Sequence, residues 1–263
     1  PALLYLNLIM DFTDNFKEAQ DLRNQGKSEL AYQKYLTISK VGGITPAKRA
    51  EALHMAAVSI KEARGYTKST ECFQKAKEAY QSLEDDFNLA RVARDFGSQL
   101  FDQAQYSEAN KEFKLSEEAL KDSDKSLDLG ELAMTQIKYA LSLEYTNELD
   151  SLDKADQKLD LAIQNVRKSE NLFYLSTAYF LAAKIFKKRA HYTIAIDYLT
   201  SAYGAINLTE EPFAKRRTEI LTELSLMFER IDNSKISKVI KKSAEVYLNE
   251  LDEETRKKLE SEE

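Results

Sequence analysis

Six times along the chain, two small residues recur at a fixed spacing inside sequence of helical character. The first members are Ala19, Ala57, Gly97, Ala140, Ala183 and Ser225, and the second are Ala31, Ser69, Ala109, Ala155, Ala195 and Ser237. The spacing is 12 residues in every pair but the fourth, where it is 15. A small residue lets two helix axes approach closely, so a repeated small pair separated by about three helical turns predicts a helical hairpin. The clearest copy is Leu89 to Leu120, in which Phe96, Gly97 and Leu100 share one face and Tyr106, Ala109, Phe113 and Ser116 another. Both sets follow the i, i+3, i+4 spacing of a helix with one buried stripe.

Further positions keep the same register. Three residues after the first small residue stand Leu22, Ile60, Leu100, Leu143, Phe186 and Phe228. Four residues after the second stand Tyr35, Phe73, Phe113, Leu159, Leu199 and Lys241, and Ile38, Ala76, Ser116, Ala162, Ala202 and Ala244 close the second helices. Lys241 breaks the pattern and leaves the sixth register open. Successive second-helix small residues lie 38, 40, 46, 40 and 42 residues apart. With 7 Gly and 3 Pro in 263 residues there is little material for a turn-rich β fold, so the chain reads as all-α. The connections KVGGITP, LEDDFN, KDSDKSLDLG, RKSEN and NLTEEP look short and polar, and none reads as a domain linker.

This order of small, aromatic and small residues resembles the tetratricopeptide-repeat family over residues 13–250, in a variant longer than the usual repeat of about 34 residues. The resemblance implies a right-handed α-solenoid of about six hairpins, one continuous core and a concave face lined by first helices. Three extra residues within EYTNELDSL imply a longer turn or an extra helical turn in the fourth hairpin, with a local change of superhelical pitch. Pro212 suits the first turn of the sixth first helix. Residues 1–12, PALLYLNLIMDF, read as an apolar arm or first helix packed on the first hairpin, or as a contact with a second protomer or a partner. Residues 251–263 read as the end of a capping helix with a solvated acidic tail.

Chemistry-bearing motifs are sparse. His54, His191 and Cys72 stand far apart, with no CxxC, HExxH, phosphate-loop or GxSxG pattern, so no catalytic residue, metal or cofactor is expected. The formal net charge of −6 opposes general attraction to nucleic acid. No apolar run approaches the roughly 20 residues of a membrane span. A single cysteine excludes an internal disulfide, and a reducing cytoplasm fits best.

Carrying the family's groove offsets onto these first helices gives Arg91, Arg94 and Phe101 in the third hairpin, Met134, Ile137 and Leu141 in the fourth, and Phe180, Lys184 and Lys187 in the fifth. The resemblance thus implies apolar anchor sites at Met134, Ile137, Leu141 and Phe180, flanked by cations that would meet carboxylates. The structural alternative is that the apolar residues pack between hairpins and the cations pair with Asp95 or Glu112. The family's carboxylate clamp of Lys and Asn does not carry over, because Phe16, Gln20 and Met55 occupy its places. The expected function is a non-enzymatic scaffold or adaptor for a protein or an acidic, partly apolar peptide. The alternative is a peptide-sensing regulator whose superhelix changes shape on binding, with a homodimer among the expected assemblies.

Overall fold

The computed structural model describes residues 2–146, 150–209, 213–251, 253 and 256, with side chains from residue 12 onward. Among the described residues all regular structure is α-helical. Twelve helices follow one another: α1 (Ala2–Asn24), α2 (Ser28–Ser39), α3 (Pro46–Glu62), α4 (Tyr66–Ser82), α5 (Asp86–Asp102), α6 (Tyr106–Leu120), α7 (Ser126–Leu143), α8 (Ser151–Lys168), α9 (Leu172–Lys188), α10 (Tyr192–Asn207), α11 (Ala214–Arg230) and α12 (Ser234–Leu248). They pair consecutively into six hairpins. The chain falls into two compact units, Pro1–Asp122 and Ser123–Glu263, with three hairpins in each.

The recurring small residues sit where the paired helices meet. Ala19, Ala31, Ala57, Ala109, Ala140, Ala155, Ala183 and Ala195 are all 2% exposed or less. Where the small residue is serine, its hydroxyl satisfies a group on the facing helix: Ser69 Oγ donates to the Ala57 carbonyl at 2.7 Å, and Ser225 Oγ lies 3.1 Å from Ser237 Oγ. The register of the sixth hairpin is thereby settled, since Ser225, Ser237 and Ala244 are buried. Lys241 is exposed because α12 packs chiefly on α11 alone.

One turn closes five of the six hairpins. The residue five places before each second-helix small residue, namely Gly26, Arg64, Ala104, Asp150, Ala190 and Asp232, has a positive φ between 58° and 74°. In five of the six, the next amide donates back to the carbonyl of the apolar residue three places after the first small one, in the last turn of the first helix, as Gln105 does to Leu100 and His191 to Phe186, both at 2.9 Å. This is the Schellman closure, and the apolar residue recurs three places after the first small one because that place faces the core, as Ile60, Leu100 and Leu143 do. A side chain with a Cβ in the left-handed region costs about 1 kcal/mol. Replacing Ala104 and Ala190 by glycine should therefore raise stability by up to about 1 kcal/mol each, read as a higher urea midpoint at unchanged slope.

The fourth hairpin absorbs its extra residues as a longer turn. Helix α7 ends at Leu143, α8 begins at Ser151, and residues 147–149 of the insertion lie outside the described residues. The turn is fastened to α9: Glu144 is buried, Arg189 donates to its carboxylate through Nε at 3.0 Å and also through Nη2, and Lys188 Nζ donates to its main-chain oxygen. Arg189 Nη1 reaches Asp156 at 2.7 Å, and the Glu144 hydrogen bond pushes the guanidinium pKa up. Pro212, most of the 251–263 tail and the side chains of residues 1–11 lie outside the described residues.

Candidate functional site

First helices present four expected cations, and the structure divides them into two kinds. In the first unit, Arg91 and Arg94 lie one turn apart on α5, whose start is capped by Asp85 accepting from the Asn88 amide at 3.1 Å. Arg94 is held by Asp95, whose Oδ1 accepts from Nε at 3.1 Å and from Nη2 at 2.9 Å. The other oxygen of Asp95 lies 3.0 Å from Nε2 of the buried His54 on α3. His54 is thus a structural link between two hairpins. Arg91, half-buried, donates to Asn88 Oδ1 at 3.2 Å and lies 5.8 Å from the Phe87 ring centroid, and no described carboxylate pairs with it. Phe101, at the other end of α5, is half-buried and packs edge-on against Tyr106 at 5.4 Å.

The same division holds in the second unit. Lys187 is paired with Glu223 of α11 at 2.7 Å. Lys184 is exposed, with its ammonium 4.9 Å from the Phe180 centroid and no described carboxylate partner. Arg216 of α11 lies 5.0 Å from the same ring and pairs with Glu219 at 2.8 Å. Two cations thus lie over one buried aromatic, an arrangement in which the ring's negative face attracts positive charge. The cleft beside it, lined by Phe180, Ala183, Lys184, Lys187, Leu199, Glu223 and Met227, is too narrow to admit a side chain, so only its cationic rim is open to a ligand.

The expected apolar anchors are placed differently. Met134 is 5% exposed and Ile137 is 0% exposed, both within a core with Ala133, Ala178, Ala182 and Ile185, and Leu141 packs partly buried against them. The reason is that α7 packs on both α8 and α9, so its apolar stripe is covered by its own unit. Phe180 likewise belongs to the core around Leu199, Ile220 and Met227. Arg216 was not legible as a site residue because it precedes Ser225 by nine residues and so falls outside the four groove offsets.

A second concavity arises in the first hairpin. A pocket of about 110 Å³ is lined by Phe12, Asn15, Lys34, Thr37, Ile38, Val41 and Ile44, where α1, α2 and the connection to α3 converge. A space of this size suits one apolar side chain. Nothing in the spacing pattern marks it, because Val41 and Ile44 lie in an irregular connection. Among the described residues no group of three His, Cys, Asp or Glu could hold a metal ion, and no helix is long and apolar enough to cross a membrane. Burial pushes the Cys72 thiol pKa up, away from reactive thiolate character.

Comparison with solved structures sets this architecture beside known helical proteins. The crystal structure of BtubC (BKLC) from P. vanneervenii superposes with a TM-score of 0.60 at 12% identity, covering 92% of this chain and 90% of that one. The apo form of RapI superposes with a TM-score of 0.60 at 15% identity, covering 92% of this chain and 100% of that one. The fold is tetratricopeptide-repeat-like. At these identities the likeness establishes the fold alone. No protein-family model matches the sequence, and no curated protein does.

Proposed function

We propose that this protein is a non-enzymatic scaffold that binds acidic protein segments through its first helices, with Arg91 in the first unit and Lys184 in the second each meeting carboxylates at its own unit. The observation that carries this reading is the unequal neutralisation of the four groove cations. Asp95 and Glu223 occupy Arg94 and Lys187, whereas Arg91 and Lys184 hold only an amide oxygen and an aromatic face. A cation without a carboxylate partner gains more from an incoming carboxylate than one already paired, because no existing ion pair has to be broken. An apolar anchor of such a ligand has a fitting cavity in the Phe12 and Ile38 pocket rather than at Met134 or Ile137.

The test is capture of partners from a native extract by the intact chain and by the Arg91→Glu, Lys184→Glu double variant, quantified by mass spectrometry. Neither residue holds a fold-bridging ion pair, so helicity and thermal midpoint should be unchanged. A partner held by the intact chain should fall by about tenfold or more on the variant, and binding should weaken with salt. Equal retention by both would remove these cations from the reading.

A further inference from the structure

The last helix carries three exposed apolar residues at positions where its counterparts carry at most one, as Leu30 in α2 and Ile194 in α10. On every second helix, the positions one before, two after and nine after the small residue point away from the first-helix partner. In α4 they are Lys68, Glu71 and Glu78, and in α6 they are Glu108, Lys111 and Glu118, as expected of a solvated face. In α12 the same positions are Ile236, Val239 and Val246, which are 42%, 66% and 59% exposed. The two residues that α12 buries, Ser237 and Ala244, lie on the opposite side against α11. Alongside the apolar row runs a ridge of exposed Lys235, Lys238 and Lys242, and none of the three has an ion-pair partner among the described residues.

We infer that this outward face of α12 is a second docking surface, and that its occupant is an acidic amphipathic helix of a partner protein. Three β-branched side chains at helical spacing fit a partner helix, and their restricted rotamers lose little entropy on docking. The unpaired lysine ridge sets the partner's charge, calling for glutamate or aspartate beside its apolar stripe. A lipid surface is the poorer match, because the row lacks the Trp, Phe or Leu that interfacial helices insert among the acyl chains. The surface is separate from the Arg91 and Lys184 cations, and stands whether or not that reading holds.

The probe is a fluorescent synthetic helix of about 18 residues with leucine at i, i+3, i+4 and i+7 and glutamate at most other places, long enough to be helical. Its scrambled isomer keeps the charge and loses the stripe. The intact chain should bind the striped peptide at least about tenfold more tightly than the isomer, with an affinity that falls as salt rises. The Val239→Glu, Val246→Glu variant should lose that preference while keeping its circular dichroism, and the Arg91→Glu, Lys184→Glu variant should retain it. Equal binding of both peptides would overturn the inference even if the valine variant failed to fold. So would binding only to phosphatidylserine vesicles, or a concentration-dependent dimer in sedimentation velocity that the valine variant abolishes.

Discussion

Replacing Gly97 by leucine is expected to destabilise the protein by about 3 kcal/mol, lowering the thermal midpoint by about 10 °C. Even a single Cβ at this position would lie 2.8 Å from the Phe113 ring and 3.2 Å from the Ala109 carbonyl oxygen. The ring has nowhere to go. Phe113 is 1% exposed, and Ala109, at 0%, sits directly across the contact. The intrinsic helical advantage of leucine over glycine, about 1 kcal/mol, is too small to offset a forced separation of α5 from α6. Shortening the facing ring should recover part of the loss, so Phe113→Ala combined with Gly97→Leu should be more stable than the sum of the two single effects predicts. A thermal midpoint for Gly97→Leu equal to that of the parent would show that the two helices do not meet at this pair.

Removing Arg189 should be at least as damaging. Its partner Glu144 has a side chain only 2% exposed, and truncation of the guanidinium would leave that carboxylate buried without its cation. Breaking a buried pair by deleting one member costs about 3–5 kcal/mol, whereas replacing both members by apolar groups is often close to neutral. Arg189→Ala should therefore lower the urea midpoint markedly, and Glu144→Leu combined with Arg189→Met should restore most of it. Arg189 also spans from Glu144 to Asp156 on α8, so its loss frees the long turn of the fourth hairpin from α9 at the same time. If the double variant were as unstable as Arg189→Ala, the ion pair would be incidental and the packing of the arginine stem would be the source of the effect.

The contrast between these two positions separates what was legible in the chain from what was not. Gly97 and Ala109 were marked by spacing alone, because the period of a helix and the need for a small residue at a close crossing are local properties. The same holds for Leu100 and Leu143, which recur because their place falls on the buried face of each first helix. Twelve helices in six hairpins follow from such short-range rules, whereas the register of the sixth was settled only by the burial of Ser225, Ser237 and Ala244.

The candidate site was legible only as a list of positions. Arg91 and Arg94 occupy equivalent faces of one helix, and the sequence offers no reason to prefer either. The choice is made by Asp95, oriented through His54 from a helix 41 residues earlier, and in the second unit by Glu223, which reaches Lys187 across 36 residues. Met134 and Ile137 have the spacing of groove residues, and only the packing of α7 against α8 and α9 makes them core. The division into two units after Asp122, the Phe12 pocket and the pairing of Glu144 with Arg189 are likewise products of tertiary packing. The sequence by itself determined the helices, their pairing and the small residues at each crossing, because these depend on periodicity within one or two turns. Which charges stay available to a partner was decided by the tertiary structure, because neutralisation depends on ångström-scale distances that only folding sets, as where His54 orients Asp95 and Glu223 reaches Lys187.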